Sequence, residues 1–269
     1  MTPLALSQIL GSAAFGLLAV SLAAQAVFLL RRRGGLDPFS HYPLAAAAAA
    51  LLAVTVERSI RIRFPAVTNT FESLVFFAGA AALVLFLHRW IARRLLSPWV
   101  QFGGTVTVLA LLAVASSPIA PRELLPPVPA LQSYWLVLHV SLTFLGESFF
   151  IVGFVSALLY LVSKNEAEKT RLERLTYTAI GIGYPMFTAG ALIFGAVWAQ
   201  TAWGSYWSWD PKETWALATW LVYTAFLHSR LAPRLRGRVS AILSVAGFVF
   251  ALFTFFGVNY LLPGLHSYR

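Results

Sequence analysis

Cysteine is absent from the sequence, and histidine and methionine are scarce. Without cysteine the chain forms no disulfide, performs no thiol–disulfide exchange and offers no thiolate to an iron–sulfur cluster or another metal. Any bound metal must therefore be held by His, Met, Tyr or carboxylate side chains. With five His and two Met, these candidates are few enough to consider one by one.

Charged residues are also scarce. They make up 11% of the 269 residues, against roughly 25% in a typical soluble domain, whereas 59% are hydrophobic. This composition indicates an integral membrane protein. No polar stretch is long enough for a second domain, so we predict a single polytopic membrane domain over residues 1–269. A formal charge of +10 would suggest nucleic-acid binding in a soluble protein, but in a membrane protein it indicates orientation, so we expect no nucleic acid as a partner.

Hydrophobic runs of the length that crosses a bilayer as a helix, about 20 residues, recur along the chain. We predict an all-α integral membrane protein with about eight transmembrane helices. The first run lacks a preceding basic region and extends to Leu30, so we interpret it as a span and not as a cleaved signal. The predicted spans cover residues 8–30, 42–57, 71–90, 98–116, 134–162, 177–198, 213–229 and 239–260.

Basic residues are concentrated in alternate loops between these spans. Of the 20 Lys and Arg residues, 14 lie in the first, third, fifth and seventh loops. Because Lys and Arg accumulate in cytoplasmic loops, these four loops are predicted to be cytoplasmic and both termini extracytoplasmic. The loop between spans six and seven then lies on the outer side.

Aromatic rings are dense in that outer loop. Five of the nine Trp lie in WAQTAWGSYWSWDPKETWAL, residues 198–217. Isolated Trp and Tyr collect at membrane interfaces, and an interface belt is the alternative here, but a belt needs only one or two rings per helix end. Gly204 and the Asp210–Pro211 step favour turns, so we predict an extracytoplasmic Trp-rich loop at 198–213 that offers a flat surface to a large planar ligand. Asp210 is also a candidate N-cap of the next helix.

The five histidines fall into three groups. His139, near the outer start of span five, and His266, in the outer tail, flank the aromatic loop and suit axial ligation of a haem iron from two sides. The alternative for each is an interfacial residue that binds nothing. His228 lies toward the cytoplasm, about 20 Å along span seven at 1.5 Å per residue, and marks at most a separate inner site. His41 and His88 are predicted to face solvent or lipid headgroups.

A few charged residues lie in or beside the predicted spans. Glu147 lies inside span five, where a carboxylate is protonated, paired across the bundle or lining a path; the sequence does not choose among these. Glu72 marks a helix start. Arg58, Arg61 and Arg63 are predicted to contact lipid phosphates, with the carboxylates of a bound ligand, such as haem propionates, as the alternative.

The aromatic loop and the C-terminal tail resemble the motifs of a known family. The segment WGSYWSWD is similar to the "WWD" signature of haem-handling membrane proteins in cytochrome c biogenesis. Within that superfamily, the eight-span layout and the tail LLPGLHSYR resemble the CcsA/ResC branch, the integral membrane subunit of the System II cytochrome c synthase. The resemblance runs along most of the chain, is strongest from Ser133 to Tyr268, and includes NTFES at 69–73.

This resemblance implies which residues handle haem. His139 and His266 match the outer axial ligands beside the WWD loop, and His228 matches the transmembrane histidine of an inner haem site. The other histidine of the inner site comes from a CcsB/ResB-type membrane partner, which we expect to be a separate chain. The predicted cofactor-binding set is His139, His266, His228, Trp198, Trp203, Trp207, Trp209 and Asp210.

The implied activity is part of a cytochrome c haem lyase. Haem b is the cargo: it is received from the cytoplasmic side, moved outward and presented for thioether attachment to the Cys-x-x-Cys-His motif of an apocytochrome c. Because this chain has no Cys, a separate thiol reductant protein is expected as a further partner. No catalytic residue is singled out. The Ala- and Arg-rich composition favours a bacterial plasma membrane over a thylakoid.

Three alternative functions are considered. A System I haem-delivery protein also carries a WWD loop, although the GLHSY tail and eight spans argue against it. A structural membrane subunit would use the Trp residues only as an interface belt. A secondary transporter would be supported by inverted repeats, which we do not find in the sequence.

Overall fold

The hydrophobic runs form helices in the computed structural model, which describes residues 3–31, 35–91 and 97–264. No strand occurs in these ranges. The helices are α1 (Pro3–Leu30), α2 (His41–Ile62), α3 (Thr70–Ile91), α4 (Pro98–Ala115), α5 (Tyr134–Val162), α6 (Glu166–Phe187), α7 (Gly195–Trp203), α8 (Pro211–Ser229), α9 (Arg238–Leu252) and α10 (Val258–Leu261). Two π-helical segments, Thr188–Phe194 and Phe253–Gly257, connect α6 to α7 and α9 to α10.

Seven helical segments within the described ranges are long and apolar enough to cross a membrane. They are Leu6–Leu30, His41–Ile62, Thr70–Ile91, Pro98–Ala115, Tyr134–Val162, Glu166–Trp203 and Arg238–Leu261. The seventh predicted span, 213–229, is not among them. It corresponds to α8, which is helical over 19 residues but less apolar and carries Lys212 and Glu213 in its first turn. The chain is therefore an all-helical multi-pass membrane protein, as predicted. The outward orientation of both termini stays a prediction.

Two helices extend beyond the predicted span boundaries. Helix α2 continues to Ile62 and so includes Arg58, whose charge is compensated inside the protein. Helix α6 begins at Glu166 because Asn165 caps it: the side-chain oxygen of Asn165 accepts hydrogen bonds from two backbone N–H groups of the first turn, at 3.0 and 3.2 Å. Residues 166–176, predicted to belong to a cytoplasmic loop, are therefore helical.

The helices group into two compact units, Met1–Gln132 and Ser133–Arg269. In unit one, α2 packs against α1 and α3, and α4 packs against α1 and α3, so the four helices form a closed ring of contacts. In unit two, α5 packs against α6, the first π-helical segment, α7 and α9, while α8 packs against α9. That the two units act as one membrane domain stays a prediction.

A buried ion pair holds one end of unit one together. The Arg58 guanidinium is 1% exposed and donates to Glu72 Oε1 at 3.0 and 3.2 Å. It also donates to the backbone carbonyls of Arg122 and Glu123, at 3.1 and 2.9 Å. The prediction that Arg58 contacts lipid phosphate is wrong, because its donors are used inside the protein. For Arg61 and Arg63 that prediction remains.

The predicted positions of two histidines are also wrong. His41 is 9% exposed and His88 is 5% exposed, so neither faces solvent or lipid headgroups. The His41 ring lies 3.9 Å from the Tyr42 ring and 6.1 Å from the Trp90 ring. His41 begins α2 and His88 lies in the last turn of α3, and the packing of the helices in unit one buries both.

Candidate functional site

The predicted Trp-rich loop is mostly helical. Trp198 and Trp203 lie in α7, and only residues 204–210 between α7 and α8 are outside a helix. Helix α7 ends at Trp203 because Gly204 adopts a left-handed conformation, with φ 76°, and its N–H donates to Gln200 at 3.0 Å. The boundaries 198–213 are therefore corrected to a helix, a seven-residue aromatic turn at 204–210, and the first turn of α8.

Asp210 caps α8, as predicted. Its Oδ1 accepts from the N–H of Lys212 at 2.9 Å, and the Glu213 carboxylate accepts from the N–H of Asp210 at 3.2 Å, which completes a capping box. Glu213 also accepts from the N–H of Ser208 at 2.8 Å. These bonds fix the path of the aromatic turn as it enters α8.

The aromatic turn presents one Trp ring outward. Trp209 has a left-handed backbone, with φ 58°, and its residue is 70% exposed. Its ring packs edge-to-face on the Trp207 ring at 5.7 Å. A bulky residue at positive φ is strained and is kept only where neighbouring bonds enforce it, often at a functional site. Here the adjacent Glu213 bonds supply that enforcement.

His139 projects from α5 toward the first π-helical segment. Its Nδ1 lies 2.8 Å from the carbonyl oxygen of Gly190. A carbonyl oxygen can only accept, so Nδ1 carries a proton, and in the neutral ring Nε2 is then the nitrogen with the lone pair. This is the arrangement that metal-binding histidines adopt, with one nitrogen donating to a fixed oxygen and the other facing the metal.

The His139 ring is oriented by an aromatic group. It lies parallel to the Trp198 ring, with centroids 6.0 Å apart and an interplanar angle of 8°. Trp198 is 2% exposed, and Trp203 packs edge-to-face on it at 5.3 Å. Trp198 is therefore buried against the histidine, and the partly exposed Trp203 supports Trp198 from the same helix.

His266 lies outside the described residues, but the chain just before it contacts the aromatic turn. A methyl group added at Gly264 would lie 2.6 Å from Asp210 Oδ2 and 3.2 Å from Pro211 Cδ. Further back, Lys212 Nζ donates to Asn259 Oδ1 at 2.8 Å. The C-terminal segment is thus attached to the start of α8 up to two residues before His266.

His228 lies at the other end of α8. It is exposed, and its Nδ1 donates to the carbonyl of Thr224 one turn earlier, at 2.8 Å. Along α8 it is roughly 27 Å from Asp210 at 1.5 Å per residue. The structure therefore does not bring His228 together with the aromatic turn, in agreement with the prediction of a separate site.

Hydroxyl and indole groups join α6 to α8 beside His228. The Tyr184 hydroxyl lies 2.6 Å from Thr224 Oγ1, and Trp220 Nε1 donates to Thr188 Oγ1 at 3.0 Å. The rings of Tyr184 and Trp220 stack at 5.8 Å. These contacts fix the rotation of α8, and with it the direction in which His228 points.

Glu147 is 5% exposed and lies within α5, in the middle of the candidate span Tyr134–Val162. It interacts electrostatically with Lys212 and Tyr223. Among the described residues no direct ion pair of Glu147 occurs, so the three alternatives for this carboxylate stay open.

Sequence reasoning missed Gly190 and Gly195. Both lie where α5 approaches the π-helical segment. A side chain at Gly190 would collide with the backbone of α5, and one at Gly195 would press against the His139 ring. Small residues inside apolar helices often mark close helix contacts, and this signal was present in the sequence. It did not identify the histidine that the contact would hold.

Comparison with known proteins relates the chain to cytochrome c biogenesis. The profile of the family described as "Cytochrome C assembly protein" matches residues 67–266. The cytochrome c biogenesis protein CcsA of Chlamydomonas reinhardtii is 38% identical over 218 residues, covering 76% of this chain and 61% of that protein. CcsA of Pyropia yezoensis is 36% identical over 255 residues, and 78% of its length is covered. CcsA of Synechococcus sp. (strain CC9605) is 38% identical over 241 residues, with 78% covered.

A solved structure shares the fold. The cytochrome c haem lyase CcmF superposes with a TM-score of 0.68 over 95% of this chain at 21% identity. The chain spans 47% of the length of that protein, so the likeness concerns the helical fold alone. The family match and the relatives carry the assignment: this chain belongs to the cytochrome c assembly protein family and, within it, to the CcsA proteins.

Proposed function

We propose that the chain binds haem b as cargo at an outer site beside the aromatic turn and presents it for thioether attachment to an apocytochrome c. The observation that carries this proposal is the position of His139: its Nδ1 donates to a backbone carbonyl and its ring lies parallel to Trp198, so the ring is held by its Nδ1 edge as in metal-binding histidines. His266 supplies the second axial ligand, because the chain leading to it lies against Asp210.

The residues of the site suit a planar ligand with a central iron. Neutral imidazole is a common axial ligand of haem iron, and two of them give a low-spin complex. The exposed Trp209 and its neighbour Trp207 provide ring area for a porphyrin. Asp210 acts in this proposal by holding the turn and the tail, since its carboxylate is engaged as a helix cap.

The chain works with other proteins in this proposal. A CcsB/ResB-type membrane subunit supplies the second ligand of the inner site at His228, from which haem moves outward. The thiols that attack the haem vinyl groups belong to the apocytochrome, and a separate reductant keeps them reduced, because this chain has no Cys. The chain's own part is to bind, orient and control the ligation of the cargo, as part of a haem lyase complex.

We also propose the membrane in which the chain handles haem. The relatives include plastid proteins, so a bacterial plasma membrane is the location we propose and not one that the family match decides. The exposed apolar residues of both units face the lipid bilayer.

The test is spectroscopic. The chain is co-expressed with a CcsB/ResB-type subunit in haem-replete cells, and the purified complex is examined oxidised and reduced. We expect a low-spin haem spectrum that is lost in His139→Ala plus His266→Ala, while His41→Gln, a histidine change in unit one, keeps it. A folded complex without haem, or a double variant with an unchanged low-spin spectrum, would contradict the proposal.

A further inference from the structure

We infer that Gly190 and Gly195 are positioning residues for the outer site: they set the proton position and the ring plane of His139. This inference rests on the proposed function and assigns a role to the π-helical segment Thr188–Phe194 and the residue that follows it. Neither glycine touches the cargo. Both act through the imidazole that binds it.

The π-helical hydrogen-bond pattern delivers the carbonyl that His139 needs. In an α-helix the carbonyl of Gly190 would accept from the residue four positions later. Here it accepts from the N–H of Gly195, five positions later, and also from His139 Nδ1 at 2.8 Å. Both lone pairs of one carbonyl oxygen are therefore used, one within the helix and one on the histidine. Single π-helical turns occur frequently at functional sites.

The space around the two glycines admits no larger residue without movement. A methyl group at Gly195 would lie 3.0 Å from His139 Nδ1 and 3.2 Å from its Cε1. At Gly190 it would lie 2.4 Å from the backbone N of Thr143 and 2.8 Å from the carbonyl carbon of Leu142. Gly190 thus lets the π-helical segment touch the backbone of α5, and Gly195 lets the imidazole lie against the helix.

Together these contacts fix three properties of the ligand. The Gly190 carbonyl fixes the proton on Nδ1, the parallel Trp198 ring fixes the plane, and the surface of Gly195 limits how far the ring can rotate. A hydrogen bond of this kind also raises the basicity of a metal-bound imidazole, and losing it typically lowers metal affinity by about 10–100-fold.

Close packing by itself does not explain the arrangement. Elsewhere on the same two helices, Gly146 and Gly183 also allow a backbone contact, since a methyl group at Gly183 would lie 2.6 Å from the carbonyl oxygen of Gly146. That contact involves no histidine. Gly183→Ala is therefore a control for helix packing, and Gly181→Ala, with open space around the added methyl group, is a control for the Gly-to-Ala change itself.

The experiment titrates haemin into the purified complex and follows the visible and electron paramagnetic resonance spectra. We expect Gly195→Ala to weaken haem binding by about 10-fold or more and to shift the low-spin g values, as a displaced imidazole would. Gly181→Ala should match the wild type. Combined with His139→Ala, the Gly195→Ala change should have no further effect, because it acts only through that ring.

The outcomes separate the inference from the proposed function. If the wild type binds haem and His139→Ala weakens binding, but Gly195→Ala and Gly183→Ala are indistinguishable, the inference is wrong and the proposed function stands. If wild-type protein binds no haem, the proposed function itself fails. If Gly195→Ala does not fold, ¹⁵N-histidine NMR of the wild-type complex decides: a proton on Nδ1 of His139 supports the inference, and a proton on Nε2 alone overturns it.

Discussion

The two units use irregular backbone differently. In unit one the described helices are regular, and its one non-glycine residue with positive φ, Arg63, simply ends α2. Unit two contains both π-helical segments, and among its described residues the non-glycine one with positive φ is the exposed Trp209. Unit one resembles a closed scaffold whose buried charges are compensated. In unit two the first π-helical segment contacts His139, a predicted haem ligand, and Trp209 belongs to the predicted cofactor-binding set. Irregular backbone is often found at functional sites.

The buried ion pair of unit one gives the largest expected effect. Arg58→Ala leaves Glu72 as an uncompensated buried carboxylate and releases two backbone carbonyls, so we expect a loss of about 3–5 kcal/mol in the free energy of unfolding. Arg61→Ala, which removes the more exposed pair with Glu57, should cost less than about 1 kcal/mol. Thermal unfolding in detergent measures both. Equal effects would show that unit one does not depend on the Arg58 contacts.

Changes at two helix N-caps should have an intermediate effect on stability. Asn165 caps α6 away from the proposed site, whereas Asp210 caps α8 at the aromatic turn. Asp210→Ala and Asn165→Ala each remove an N-cap side chain and should each cost about 0.5–2 kcal/mol. Only Asp210→Ala is expected to reduce haem content, because Asp210 also contacts the tail at Gly264. Unfolding and haem content are measured on the same preparations. Loss of haem from the Asn165 variant would break the distinction.

Changes at the two described non-glycine residues with positive φ, Arg63 and Trp209, should have the smallest effect on stability. Arg63→Gly and Trp209→Gly each relieve a left-handed conformation and should each change stability by no more than about 1 kcal/mol, with a gain expected for Arg63→Gly at its helix end. Trp209→Gly should also lower the haem content, since its exposed ring is removed, whereas Arg63→Gly should not. A haem content that is unchanged in the Trp209 variant would argue that the ring is only an interface anchor.

Much of the fold could be predicted because its signals are local. Hydrophobic runs predicted the membrane helices, and Asp210 with the following Pro predicted the cap of α8. The same local signals misplaced the aromatic residues. Trp198 and Trp203 were assigned to a loop, although α7 continues through both, because a helix that packs against its neighbours tolerates a run of large rings.

The candidate site was predictable by residue type but not by geometry. His139 stood out because it shares the outer side with the Trp-rich segment, while Gly190, whose carbonyl holds it, lies 51 positions further along the chain. A contact over such a separation depends on how α5 packs, which no local pattern reports. The burial of His41 and His88 was not predictable for the same reason, because a polar residue near a helix end carries no local sign that other helices will cover it.

The sequence by itself determined that this is a helical membrane protein of the CcsA family, and it predicted two histidines on the same side of the membrane as a cluster of Trp. These properties depend on composition and short motifs, which are set by neighbouring residues in the chain. Tertiary structure decided the tautomer of His139, the compensation of Arg58 and the attachment of the C-terminal segment to Asp210. Inside a bilayer, polar groups that find no water must find each other, and only the packed helices determine which ones meet.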